Sequence, residues 1–322
     1  MRKVQINRTK ISLRALFVVL IVNVFFLSGC SLFYDFAPKL DLSEYRPASN
    51  HEAQLINSHI AEEGKSIVGF RDLVNLNVKR DSFSVASELV VVFEQPDKLR
   101  MEFLLPGIQQ SETIVRASNG FVDVFMQKEK VLIHGQDSVS EMFRLLGIPL
   151  NVSELMFWIS GRLPLWNKGE IGLETVLLSS DFNDGVGTVV YKIVTHDGRV
   201  IVAGYKCKLG SNSENGVCYP SSSLSFVEVY KCSSSCSETD SNHRLFVSKF
   251  SEESISSSDV LIPKKISFWL PKQNISGEMN FTNPKIYKEK GKIQEKVFHP
   301  KFPQNITTRD AKTISGSAIL LK

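Results

Sequence analysis

Between Ile67 and His134 the chain alternates apolar and polar residues through six successive runs: Ile67 to Val78, Phe83 to Phe93, Leu99 to Leu105, Thr113 to Ala117, Phe121 to Met126 and Val131 to His134. The breaks between them are short and turn-forming: Arg80-Asp81, Pro96-Asp97, Pro106-Gly107, Asn119-Gly120 and Lys128-Glu129. A period of two residues makes strands, and turns this short make sequence neighbours antiparallel, so the runs predict a meander. Val85, Ser87, Leu89, Val91 and Phe93 share one face of their strand, and Leu99, Met101, Phe103 and Leu105 share one face of the next. Val90, Val92 and Leu104 lie on the opposite faces, which are therefore not cleanly polar. A sheet that is apolar on one side and partly so on the other requires cover, or a ligand.

The alternation stops in Val131 to Leu165. Val139, Met142, Phe143 and Leu146 fall at helical spacing, with Ser138 and Glu141 placed as a capping box and Gly147 as a stop. After Ile148-Pro149-Leu150, Asn151 and Glu154 repeat the capping signal. Leu155, Met156 and Ile159 continue an apolar face, and Gly161 ends it before Pro164. Two short apolar helices in a β-rich chain are expected to lie as a lid on a sheet.

At the N-terminus Arg2, Lys3, Arg8, Lys10 and Arg14 precede an apolar run from Ala15 to Leu27, too short for a comfortable membrane span. Leu27-Ser28-Gly29-Cys30 follows and resembles the lipobox of bacterial lipoproteins, in which the leader is cut before an acylated cysteine. That resemblance implies a signal peptide over 1–29 and lipid attachment at Cys30. Each buried CH₂ adds about 0.8 kcal/mol, so several acyl chains make a stable anchor. Ser31, where an Asp would signal retention, implies sorting to the bacterial outer membrane.

Residues 30–48 read as a lipidated tether. Ser49 and Glu52 form a capping box for a helix carrying Ala53, Ile56 and Ile60, stopped at Gly64. Beyond the helical stretch, strands are expected at Thr188 to Thr195 and Val200 to Tyr205, joined by His196-Asp197-Gly198-Arg199. The Ser-rich segment 206–258 contains two strand-like runs, Leu224 to Tyr230 and Leu245 to Phe250, and reads as an insertion. Ile266 to Leu270 and Gly277 to Thr282 close the sheet, and 288–322 is a basic tail without a clear pattern.

With 322 residues, 43% of them hydrophobic, the chain can bury a full core. A net charge of +4, part of it in the leader and tail, gives no argument for nucleic acid. The motifs of metalloproteases, serine hydrolases, P-loop enzymes and dinucleotide binders are missing, so the expectation is a non-enzyme without a cofactor. His134 reads as a structural histidine. Cys207, Cys218, Cys232 and Cys236, confined to one polar segment of an exported chain, suggest two disulfides with three possible connectivities. Cys232 and Cys236 with His243 are also spaced as part of a zinc site, which an oxidising compartment disfavours.

The lipobox together with Ser140 to Pro164, SEMFRLLGIPLNVSELMFWISGRLP, resembles the LolB-like outer-membrane lipoproteins of the LolA/LolB lipoprotein-localisation superfamily. The likeness lies in an acidic-Met helix, a Gly-x-Pro break, and a second helix with an aromatic followed by Ile-x-Gly. Leu99-Arg100-Met101 through Pro106-Gly107 and the Pro263-Lys264-Lys265-Ile266 strand fit the same order. The resemblance implies an α+β fold that is mainly β, a curved antiparallel sheet forming an unclosed β-barrel lidded by helices, over 49–287. It further implies a cavity that accepts the acyl chains of lipoproteins from a LolA-like periplasmic carrier. Leu89, Val91, Phe93, Met101, Phe103, Met142, Phe143, Leu146, Met156, Phe157 and Trp158 are the candidate wall and lid. The family's membrane-inserting turn corresponds here to Pro106-Gly107-Ile108, with Ile108 in place of its leucine. Two other readings stand beside this one: a structural or interaction lipoprotein whose sheet is filled by its own side chains, and a binder of free lipid or another apolar ligand.

Overall fold

The computed structural model describes residues 41–105, 110–164, 171–179, 186–209, 218–232, 241–251, 254–257 and 260–313. The expected signal peptide, Cys30, Pro106-Gly107-Ile108 and Cys236 lie outside them. Asp41–Lys322 forms one compact unit, and its described core residues begin at Ala48.

The chain enters the sheet at β1 (Tyr45–Pro47), before the expected boundary at Ser49, and α1 (Asn50–Lys65) follows. Both halves of its capping box form: the Ser49 hydroxyl accepts from Glu52 N, and a Glu52 carboxylate oxygen accepts from Ser49 N at 2.8 Å. The alternating runs then become β2 (Gly69–Arg80), β3 (Phe83–Glu94), β4 (Lys98–Leu104), β5 (Ser111–Ser118), β6 (Phe121–Met126) and β7 (Val131–Gln136), an antiparallel meander as predicted. In β2 the even positions Phe70, Asp72, Val74 and Leu76 are buried while Arg71, Leu73, Asn75 and Asn77 are exposed. That alternation sets the register, because a slip of one residue would turn Phe70 and Val74 to solvent.

Two helices follow, α2 (Val139–Leu146) and α3 (Val152–Ile159). Then come β8 (Ile171–Ser179), β9 (Val186–Thr195), β10 (Arg199–Leu209), β11 (Cys218–Lys231), β12 (Arg244–Phe250), β13 (Ser254–Ser257) and β14 (Val260–Pro263). The last strands are β15 (Lys265–Leu270), β16 (Ile275–Phe281), β17 (Lys285–Tyr287) and β18 (Thr307–Asp310). Among the described residues the main sheet runs β1-β8-β9-β10-β11-β12-β15-β16-β2-β3-β4-β5-β6-β7-β18, with β17 added on β2, while β13 and β14 pair separately. Its end strands β1 and β18 are not paired with each other, so the sheet is large, curved and unclosed, in an α+β fold that is mainly β. The pairings are antiparallel except β18 on β7.

Two expectations are corrected. The segment 206–258 is not an insertion: it supplies β11 and β12, which pair in series between β10 and β15 in the interior of the sheet. Leu224, Val227 and Val229 are buried in the core, and the Ser-rich composition of the segment concealed that apolar face. The basic tail is not patternless either. Ile293 and Phe298 pack on Val92 with Val90 beside it, Arg100 Nη1 donates to Val297 O at 2.6 Å, and Phe302 lies against the Phe125 ring at 4.9 Å. The tail is the cover that the apolar outer positions of β3 require, and β18 ends it in the sheet.

Candidate functional site

On the inner face of the sheet lies a cavity of about 1160 Å³, partly open to solvent. Leu76 and Val78 of β2, Leu89 of β3, Met101 and Phe103 of β4, and Ile133 of β7 form one part of its wall. Phe246, Phe268, Ile275 and Met279, from β12, β15 and β16, form another. The roof is Leu146 of α2, Ile148, and Leu155, Trp158 and Ile159 of α3.

Local sequence positions this roof. Ser138 caps α2 by accepting from Glu141 N, but the Glu141 carboxylate turns away from the capping box and accepts from Gln136 N at 2.5 Å. Gly147 stops α2 at φ 77°, the left-handed conformation that a side chain disfavours. The Asn151–Glu154 box is complete. Val152 and every residue from Glu154 to Ile159 are buried, so α3 is an internal helix rather than an amphipathic lid. Trp158 fixes its orientation: Nε1 donates to Ser248 Oγ at 2.9 Å, and the ring meets Phe246 and Phe268 edge-on at 5.4 and 6.1 Å. Phe268 can lie there because β16 presents Gly277 beneath it, where a Cβ would strike the ring.

Of the residues expected at the cavity, Leu89, Met101, Phe103, Leu146 and Trp158 line it. Val91 and Phe93 sit further along β3 in the closed core, where Phe93 stacks on Phe70 at 5.2 Å. Met142 and Met156 are fully buried in the same core, Phe157 is buried outside the cavity lining, and Phe143 is half-buried. The inward face of α2 is rotated toward Leu145, which is buried where Phe143 was expected. The aromatic pair Phe246 and Phe268 was not foreseen, because Phe246 belongs to the segment read as an insertion.

Charge is confined to the rim. Arg80, Asp81, Glu112, Glu129 and Arg309 line the cavity and are exposed, which places them at its mouth. His134 lies on the outer face, its Nδ1 2.7 Å from an Asp123 carboxylate oxygen, and it stacks on Phe121. Among the described residues no group of three or more His, Cys, Asp or Glu is arranged to hold a metal ion. Cys207 and Cys232 are each disulfide-bonded; they lie at opposite ends of the β10–β11 ladder and so belong to separate bridges. The cavity thus presents a mainly apolar surface to a ligand, with the Ser87 and Thr113 hydroxyls in its wall and charged groups only where the ligand would emerge.

No family model matches the chain, and no curated protein matches its sequence. Solved structures do resemble it. A LolA superfamily protein from Nitrosomonas europaea aligns with 76% of this chain and 96% of its own, at 13% identity and a TM-score of 0.49. An outer membrane lipoprotein-sorting protein domain from Vibrio parahaemolyticus aligns with 76% and 94%, at 10% identity and a TM-score of 0.48. A DUF1329 family protein from Desulfovibrio piger aligns with 76% and 96%, at 9% identity and a TM-score of 0.49. The structural neighbours of the chain thus include LolA superfamily and lipoprotein-sorting proteins.

Proposed function

We propose that the chain is an outer-membrane lipoprotein that receives the acyl chains of other lipoproteins from a LolA-like periplasmic carrier and passes them to the outer membrane. The observation that carries this reading is the cavity of about 1160 Å³. Sites for small molecules span roughly 300–1,000 Å³, so the volume suits something larger than a metabolite, and the wall suits something without polar groups. Each CH₂ that enters contributes about 0.8 kcal/mol. A receiver must hold the chains better than the carrier does, and each tenfold step in that preference takes about 1.4 kcal/mol. In this reading Cys30 bears the anchor that keeps the cavity at the membrane. A sheet filled by its own side chains would be close-packed at this face, and the cavity argues against it.

The charged rim favours one second reading, a binder of free amphiphilic lipid, since Arg80 and Arg309 stand where a headgroup would emerge. Mass spectrometry of what co-purifies separates the two: acylated protein is expected in the first case and free lipid in the second. Phe103→Asp should abolish either, because a carboxylate facing an acyl chain loses its water without gaining a partner. Unchanged binding in that variant would overturn both. Cys30→Ala should abolish metabolic fatty-acid labelling, and persistent label would remove the anchor from the proposal.

A further inference from the structure

The β2–β3 hairpin runs past the end of β4. β2 and β3 stay paired out to Arg80↔Phe83, but β3 pairs with β4 only from Glu88↔Leu104. Among the described residues the run 83–87 therefore has no β4 partner over roughly 16 Å, at 3.3 Å per residue, and forms an arm on that side, while β2 stays paired with β16 on the other flank out to Ile275↔Arg80. On this arm Phe83 is 76% exposed and Val85 60% exposed, the highest values among the large apolar side chains described. Both also belong to the cavity lining, so the apolar wall continues from Phe103 and Leu89 through Val85 out to the tip. Near the tip of the hairpin and on the neighbouring β15–β16 turn the exposed charged residues are the cations Lys79, Arg80 and Lys272 and the acid Asp81, while Glu112, Glu129 and Arg309 share the cavity mouth. Lys272 is held near by the turn that follows it, where Asn274 Nδ2 donates to Asp81 Oδ1 at 2.6 Å.

We propose that this arm is where the protein meets an anionic bilayer, with Phe83 and Val85 entering the boundary between headgroups and acyl chains and Lys79, Arg80 and Lys272 facing the headgroups. An aromatic and aliphatic tip in a basic collar is the composition that binds at such an interface. A protein partner fits less well, because two exposed apolar side chains on one strand supply far less than the roughly 800 Å² per side of a stable protein interface. The arm is a different hairpin from the Pro106-Gly107-Ile108 turn that the sequence resemblance favours. The contact itself is independent of the cavity's cargo. The further step, that a chain leaves the cavity for the bilayer along Val85 and Phe83 without crossing water, rests on the reading given under Proposed function.

The test is co-sedimentation of the Asp41–Lys322 unit with vesicles of phosphatidylethanolamine and phosphatidylglycerol, compared with phosphatidylcholine alone. The expected result is binding to the anionic vesicles that weakens with salt, and at least a tenfold loss in Phe83→Ser/Val85→Ser with an unchanged unfolding midpoint. Phe121→Ser, which removes an exposed aromatic elsewhere, should bind as the parent does. Lys79→Gln/Lys272→Gln should lose the preference for anionic vesicles. The proposal is overturned if the parent does not bind, if the arm variant binds as well as the parent, or if Phe121→Ser loses as much. Binding of a fluorescent fatty acid to the same proteins without vesicles keeps the two readings apart. Arm-dependent vesicle binding without fatty-acid binding would sink the cavity reading and leave the arm, and the reverse pattern would sink the arm alone.

Discussion

Arg199 holds Glu154 in a buried two-point ion pair, with Nη1 2.8 Å from Oε2 and Nη2 2.9 Å from Oε1. Glu154 also completes the capping box that Asn151 begins at the start of α3, and Arg199 Nη1 donates to Pro149 O at 2.8 Å, so a single guanidinium fastens the cavity roof to the β9–β10 hairpin. Removing Arg199 leaves the Glu154 carboxylate buried without a counter-charge, which costs about 3–5 kcal/mol, whereas removing Glu154 leaves Arg199 still paired with Asp197 through Nε at 2.9 Å and Nη2 at 2.8 Å. Urea unfolding should therefore show Arg199→Met as the more strongly destabilised single variant, and adding Glu154→Met to it should recover part of the loss by removing the stranded carboxylate. Additive losses would mean that the pair is not a unit.

Phe298 is fully buried against Val92 and Ile293 on the outer face, away from the cavity. Phe298→Ala should cost about 3–5 kcal/mol, in the range for large core truncations, while leaving fatty-acid binding unchanged under native conditions. A surface-like cost of under about 0.5 kcal/mol would show that the C-terminal segment merely rests on the sheet.

Deleting 211–258 with a short linker removes β11 and β12, which leaves β10 and β15 without partners on one side and takes Phe246 out of the cavity wall. α1 also loses contact, since His59 Nε2 lies 3.2 Å from Pro220 O at the start of β11. The expected outcome is loss of the cooperative unfolding transition. A deletion variant that unfolds cooperatively at the parent's midpoint would place the segment outside the main domain.

The strands of the meander and the three described α-helices were legible in the sequence because their signals are local: period-two alternation, capping residues, and Gly147 at a left-handed stop. What was not legible depends on partners distant in sequence. Phe246 and Phe268 become cavity walls only because β12 and β15 pair, and nothing near Ser248 announces that Trp158 will donate to it. Phe143 and Leu145 both fit an apolar stripe, and tertiary packing chose the latter. The C-terminal segment failed for a related reason: Ile293, Phe298 and Phe302 have no periodicity of their own, and their spacing follows the surface of β3 to β6 that they cover.

Arg46 of β1 and Glu52 of α1 form a pair 2.7 Å apart that is open to pH. Arg46 donates to the Glu52 carboxyl and lowers its pKa from the ordinary 4.5 to about 2; burial opposes this shift and hydrogen bonds from Ser49 assist it. A folded-state pKa below the unfolded one contributes stability that is fully present above pH 4.5 and disappears as pH falls toward 2. Glu52→Gln keeps much of the cap but removes that dependence, so its stability should fall less than the parent's between about pH 5 and about pH 2.5, the window that the two pKa limits set. Asp72 and Asp137, which burial pushes upward, act in the opposite direction but are common to both proteins and cancel in the comparison. Because the Arg46 side chain is 48% exposed, salt should screen the pair, and the difference between the two proteins should shrink at about 1 M ionic strength. Identical pH profiles at low salt would show that the Arg46–Glu52 pair does not hold β1 to the start of α1 in solution.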